Sequence, residues 1–312
     1  MRKPNFKKLF SSVLFAALIA LLVWYLYANR ADLSQLLTLN ASTVAWMLVL
    51  AFAACTMNAL YHKLILDTYQ LPLDVVDWMG VVFVANAVAY VLPMRADLIF
   101  TATYYKRTKN FALTKSVSVA AGNIVFGVLF ALVQMFIALL CTGLIEGQWP
   151  GLLWLILVIG CAGTAMLMVV SIWFSDRMPA FLAKYKFVRD IIQGFAQLIR
   201  NHRLLLKLLG CLIVNNILHL LLYMACFRGI GMEVTLYQAL FYNSVSRVLS
   251  LVAIVPANIG IAQGVMGVAG SLMGDVFHNG VMVSLLQSVS LMIVYIVAGG
   301  AFAYPVYRRY KG

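Results

Sequence analysis

Six apolar runs of twenty to twenty-five residues recur along this chain, at 9–28, 43–66, 116–140, 152–174, 204–226 and 281–304. An α-helix rises 1.5 Å per residue, so about twenty residues cross the hydrocarbon core of a bilayer. Each run therefore has the length of a membrane span. In lipid no water is available to the backbone, and such runs satisfy their N–H and C=O groups only as helices. Composition agrees: 64% of the 312 residues are apolar and 11% charged, against about 25% charged in a soluble domain. These figures exclude a single soluble domain, a disordered chain and a secreted disulfide scaffold. The expected fold is an all-α polytopic membrane protein, one transmembrane domain over 1–312 with about six full spans.

The net charge of +13 is explained by cytoplasmic loops facing anionic headgroups, not by nucleic acid. Arg2, Lys3, Lys7 and Lys8 precede the first run, which is long for a signal peptide and is followed by no small-x-small cleavage site. It is expected to remain as the first helix. With six spans both termini lie on one side, and 19 of the 23 Lys and Arg then fall in the N-terminus, the loops at 63, 106–115 and 177–207, and the tail. Only Arg30 and Arg228 fall on the other side, so the positive-inside rule puts both termini in the cytoplasm of a bacterial inner membrane. The stretch 175–203 reads as an amphipathic cytoplasmic segment, with Phe187, Ile191, Phe195 and Leu198 among its bases, lying on anionic headgroups. Cys55, Cys141, Cys161, Cys211 and Cys226 lack paired spacing and read as packing residues, and no metal or cofactor motif is present.

Two apolar segments are too short to span. The run 80–92 has 13 residues and ends at Pro93, followed by Met94, Arg95, Ala96 and Asp97 and a second short run to residue 105. The run 239–255 ends at Pro256, after which Ala257, Asn258, Ile259 and Gly260 turn into 261–273. Each reads as a re-entrant helical hairpin, with Pro93, Pro256 and Gly260 at the turns. The span count makes the first enter from the cytoplasm and the second from outside. Asn58 and His62 precede the first, Asn215 and His219 the second, at the same spacing. Asp74 and Glu233 stand about twenty positions before the two prolines. The pattern is that of an inverted-topology repeat with halves at about 43–140 and 204–304, as in alternating-access transporters.

Arg95 and Arg247 fall within these hairpins. A charge at the bilayer centre costs about 2.5–3.5 kcal/mol even on lenient scales, so intramembrane arginines are functional or paired. Two guanidiniums in a watery cavity suit a phosphate, which they grip bidentately; the alternative is a snorkelling Arg95 and an Arg247 paired with a carbonyl. Asp97 stands at the same depth, as a counter-charge for Arg95 or as a coupling proton site, although residues two apart on a helix do not share a face. His62 and His219 are candidates for proton relay, or hydrogen-bond across helices with Asn58 and Asn215. Gly260, Gly264, Gly267, Gly270 and Gly274 line one helical face, for close packing or for a groove that takes an acyl chain.

At these hairpins the chain resembles the flippase-like membrane region of the lysylphosphatidylglycerol synthase family. Pro93-Met94-Arg95-Ala96-Asp97 is similar to the family's proline–x–arginine–x–acid turn. The run from Pro256 through Asn258 and Gly260 to Gln263 is similar to its proline-glycine turn leading to a glutamate. Three departures remove charge: Ala96-Asp97 in place of Gly-Glu, Gln263 in place of the glutamate, and Gly122-Asn123 in place of a Glu-Arg pair. The resemblance implies lipid translocation without the family's soluble synthase domain.

The expected function is transport of a phosphate-containing lipid between leaflets: a phospholipid, an aminoacyl-phospholipid or a polyprenyl-phosphate-linked headgroup. The substrate-binding residues would be Arg95, Arg247, Asp97, Asn258 and Gln263. Asp97, His62, His219, Asn58 and Asn215 would serve coupling or relay. No enzymatic activity, cofactor or metal is expected, and the partners are the lipid or lipid-linked substrate and anionic headgroups. Two alternatives remain: a non-transporting membrane subunit that presents a lipid-linked substrate to a separate transferase, and a transporter of a small soluble anion.

Overall fold

The computed structural model describes residues 39–92, 95–176, 201–250 and 258–311. The first apolar run, both turn prolines and nearly all of the amphipathic segment lie outside them. The described residues form helices and no strands: α1 (Ala41–Asp67), α2 (Val81–Val91), α3 (Ala96–Lys109), α4 (Leu113–Glu146), α5 (Gly151–Asp176), α6 (His202–Gly229), α7 (Leu236–Leu249), α8 (Ile261–Leu272) and α9 (Phe277–Lys311). Among them α1, α4, α6 and α9 are long and apolar enough to cross a membrane, and they coincide with four of the expected runs. The run 152–174 lies within α5, of 26 residues. The chain is a multi-pass membrane protein.

Local chemistry sets the helix ends. The Asn40 side chain accepts from Ser42 N–H at 3.2 Å and opens α1, and Asn201 accepts from Leu204 N–H at 3.1 Å to open α6. Thr235 and Gln238 form a reciprocal capping box at the start of α7. Gly147, at φ 71°, closes α4 in the left-handed conformation that glycine adopts without steric cost. The first short run begins earlier than its hydropathy implied. A π-helical turn, Val76–Gly80, leads directly into α2, and the arm Val76–Val91 starts under an Asp74 carboxylate that accepts from Asp77 N–H at 3.0 Å. Hydropathy alone hid this turn because Asp77 and Trp78 interrupt the apolar run.

α2 with α3, and α7 with α8, form two helical hairpins. α1 packs along α6, α2 along α9, α7 along α4, and α8 along α9. One cluster of buried side chains joins these helices at the centre, with Phe83, Tyr223, Phe241 and Tyr242 fully enclosed. A second cluster, around Tyr61, Tyr104, Tyr105 and Val306, surrounds the base of the first hairpin. Large apolar side chains such as Phe52, Ile159, Val214 and Val297 face outward on the long helices, where lipid rather than water is the solvent. Gly267 and Gly270 of the glycine face abut Phe277 and Tyr242, so that face serves close packing.

Candidate functional site

The start of α3 and the end of α7 meet. Arg95 stands just before α3 with φ 55°, a left-handed conformation uncommon outside glycine. From there its Nη1 donates to the Ser250 carbonyl at 2.8 Å, 155 residues away at the end of α7. Its Nη2 lies 3.4 Å from Asp97 Oδ2. The helical-face objection to this pair does not apply, because Arg95 precedes the helix and its left-handed backbone turns the side chain over the first turn of α3. Asn258 also has φ 55°, and its Nδ2 donates to the Leu249 carbonyl at 2.9 Å, satisfying a backbone acceptor where α7 stops.

Arg247 enters from α7. Its Nη2 donates to Asn215 Oδ1, while Asn215 Nδ2 donates to the Ala54 carbonyl at 2.8 Å. One asparagine thereby fixes the guanidinium and ties α6 to α1. A parallel pair, Asn243 Nδ2 donating to Asn216 Oδ1 at 3.1 Å, repeats the α7–α6 link. His62 stacks on Tyr105 with ring centroids 6.3 Å apart.

These elements enclose a cavity of about 400 Å³ whose lining includes Asn58, His62, Arg95, Asp97, Asn215, His219, Arg247 and Asn258. Eight residues named from the sequence thus share one chamber. Its described lining holds two guanidiniums, one carboxylate and two imidazoles. Four buried polar atoms there make no hydrogen bond: Arg95 Nε, Arg247 Nε, His62 Nε2 and Asn258 Oδ1. Unpaired buried donors are costly, and those of a guanidinium are well suited to an anion. Gln263 stands apart from the lining. Its Oε1 accepts from Gly260 N–H at 2.7 Å and its Nε2 donates to Ser288 Oγ at 3.3 Å, so it holds the second turn and supports the wall. Gly260, at φ 89°, supplies that turn. Sequence reasoning missed Asn86, Asn243, Ser246, Ser250 and Gln287 in the lining. For Asn243 and Ser246 the signal was the polar series Asn243, Ser244, Ser246 and Arg247 inside a short apolar arm. Asn123 also faces the cavity.

A second polar cluster secures the base of the first hairpin. Asp77 is 1% exposed; its carboxylate accepts from Tyr104 Oη at 2.8 Å and pairs with Lys109 at 2.6 Å and Arg309 at 3.2 Å. Tyr105 Oη donates to the Asp77 carbonyl at 2.7 Å. Arg309 also grips Asp74 at 2.5 Å, and this contact holds the Asp74 carboxyl below its ordinary range. The end of α9 is thereby pinned to the hairpin. At the base of the second hairpin the corresponding bonds are to Asp275, from Tyr242 Oη at 2.9 Å and Asn279 Nδ2 at 2.8 Å.

Long apolar helices around a charged internal chamber, lined by arms of two hairpins, define a polytopic membrane protein with a buried polar site. Residues 11–299 match the family model described as the lysylphosphatidylglycerol synthase TM region, and the chain belongs to that family. Comparisons with curated proteins and with solved structures gave no match.

Proposed function

We propose that this chain transports a lipid with a phosphate-containing headgroup between the leaflets of the bacterial inner membrane, without enzymatic activity. The observation that carries the reading is the pair of arginines, one from each hairpin, lining one chamber with buried, unbonded Nε atoms. The headgroup phosphate lies between Arg95 and Arg247. Asn258 contributes a polar contact, and Asp97 balances Arg95 when the phosphate leaves.

Packing supports an inverted repeat with halves 43–140 and 204–304. α1, the α2–α3 hairpin and α4 correspond to α6, the α7–α8 hairpin and α9. Exchanging the halves exchanges the observed pairs: α2 on α9 becomes α7 on α4, and α1 on α6 maps onto itself. The hairpins then enter from opposite faces, with both termini cytoplasmic as the distribution of Lys and Arg requires. Rocking of the halves opens the chamber alternately to each leaflet. His62 and His219, beside Asn58 and Asn215 on the α1–α6 pair, serve proton relay during that motion.

Purified protein in liposomes containing fluorescent phosphatidylglycerol tests the reading. Transfer between leaflets is expected with wild type and is expected to fall strongly with Arg247→Leu at unchanged expression. No transfer by wild type would favour a subunit that presents lipid to another enzyme. Saturable uptake of a water-soluble anion instead would favour a soluble-anion transporter.

A further inference from the structure

A second cavity adjoins the polar one and is its chemical opposite. It measures about 810 Å³ and lies between α5 and the α7–α8 hairpin, with α4 as its floor. Leu132, Ile156, Val248 and Val268 typify its lining. The polar side chain that borders it, Thr164, turns its hydroxyl to the Gly160 carbonyl at 2.8 Å. Ordered water needs two to four polar partners, so this space suits hydrocarbon. Ile156, Val265 and Val268 on its rim are exposed, opening it sideways toward lipid. Val128 and Leu249 line both cavities, so the apolar space abuts the chamber that holds Arg95, Asp97 and Arg247.

We propose that this groove seats one hydrocarbon chain of the same lipid whose phosphate sits at Arg95 and Arg247. The inference rests on the phosphate-lipid reading above. It adds that the chain is bound by the protein during transfer and does not stay in bulk lipid. Two observations select this occupant. A charged compartment and an apolar one sharing two wall residues match an amphiphile's two ends. The volume also suffices: at about 30 Å³ per water-sized group, the groove admits on the order of 25 methylene-sized groups, the scale of one long acyl or prenyl chain.

Gly163 offers a clean way to fill the groove. It lines the apolar cavity, and a Cβ added there meets nothing within 4 Å. Gly163→Phe therefore occupies chain space without touching the headgroup chamber. Each methylene displaced from an apolar site weakens binding about fourfold, so the substitution, which displaces at least two, is expected to slow transfer of long-chain phosphatidylglycerol at least tenfold. Dihexanoyl phosphatidylglycerol, whose chains are too short to fill the groove, should change less than twofold.

The deciding measurement uses full-length protein in liposomes with phosphatidylglycerol that carries a mid-chain diazirine, and adducts mapped by mass spectrometry. Adducts are expected along 153–163 and 265–268, reduced at least fivefold by Gly163→Phe and by Arg247→Leu. Adducts spread over the outer faces of the long helices and indifferent to Gly163→Phe would overturn the groove while leaving the arginine reading intact. Groove adducts formed equally by a diazirine diacylglycerol and unaffected by Arg247→Leu would show a chain site uncoupled from phosphate, which also overturns it. Protection of the groove by residues 9–28 of this chain, seen as a protein–protein cross-link in place of lipid adducts, would replace the lipid with that segment.

Discussion

The two hairpins each bring one arginine to the chamber, yet they hold it by different means. In the first, Arg95 carries its own counter-charge, Asp97 at 3.4 Å, and the base of the hairpin is a network of ions centred on Asp77. In the second, Arg247 is held by the neutral Asn215, and among the described residues no carboxylate pairs with it. The base of that hairpin rests on a tyrosine and an asparagine bonded to Asp275. A buried cation without a counter-ion is unfavourable, and an arriving anion relieves that cost. The first hairpin is thus self-neutralised and anchored, whereas the second presents the uncompensated charge. On this view Arg247 dominates phosphate binding and Arg95 completes the grip.

The sharpest break of this contrast is in transport. Losing a charge-assisted hydrogen bond is worth about 1.5–3 kcal/mol, and each 1.36 kcal/mol is tenfold in rate. Arg247→Leu is therefore expected to slow transfer about 100-fold and Arg95→Leu about tenfold, measured in liposomes at matched protein levels. Equal losses, or a larger loss at Arg95, would reverse the assignment. Arg247→Lys should restore little, because an ammonium does not reproduce the bidentate fork.

Stability offers the next test. Asp77→Asn leaves Lys109 and Arg309 without their buried partner, but both are partly exposed and recover water. The expected loss is about 2 kcal/mol, below the 3–5 kcal/mol of a fully buried broken pair. Tyr242→Phe removes one bond at the base of the second hairpin and should cost about 1 kcal/mol. Thermal denaturation in detergent compares the two, and a larger cost for Tyr242→Phe would show that the ionic base is not the stronger anchor.

The smallest effect separates the anchors by pH. Arg309 lowers the folded-state pKa of Asp74. A carboxyl depressed on folding adds stability above its ordinary value, near 3.8, and loses it as pH falls through the folded pKa. Asp74 and Arg309 are largely exposed, so solvent screening limits their pair to a few tenths of a kcal/mol. Asp74→Asn should lower the melting temperature slightly at pH 7, and its gap from wild type should close as pH falls below 3.8 through the folded pKa of Asp74. A gap that persists once wild-type Asp74 is protonated would place its role in hydrogen bonding and not in charge.

The sequence by itself determined the apolar runs, the short segments that flank Pro93 and Pro256, and the two arginines set among them. Transfer into lipid and backbone hydrogen bonding act locally, so hydropathy and helix breakers report them directly. The repeated Asn-x-x-x-His spacing also marked residues that share one chamber, because both pairs ride on helices that pack together. What only the tertiary structure decided depends on side chains far apart in sequence. Asp77 draws on Arg309, 232 residues away, and no local pattern marked it. Gln263 turns to the Gly260 N–H and leaves the chamber. Arg95 reaches Asp97 because a left-handed residue precedes α3, a conformation that the turn imposes and composition does not reveal. The apolar groove exists because α5 stands off from the second hairpin, a spacing set by helix packing as a whole and legible in no single helix.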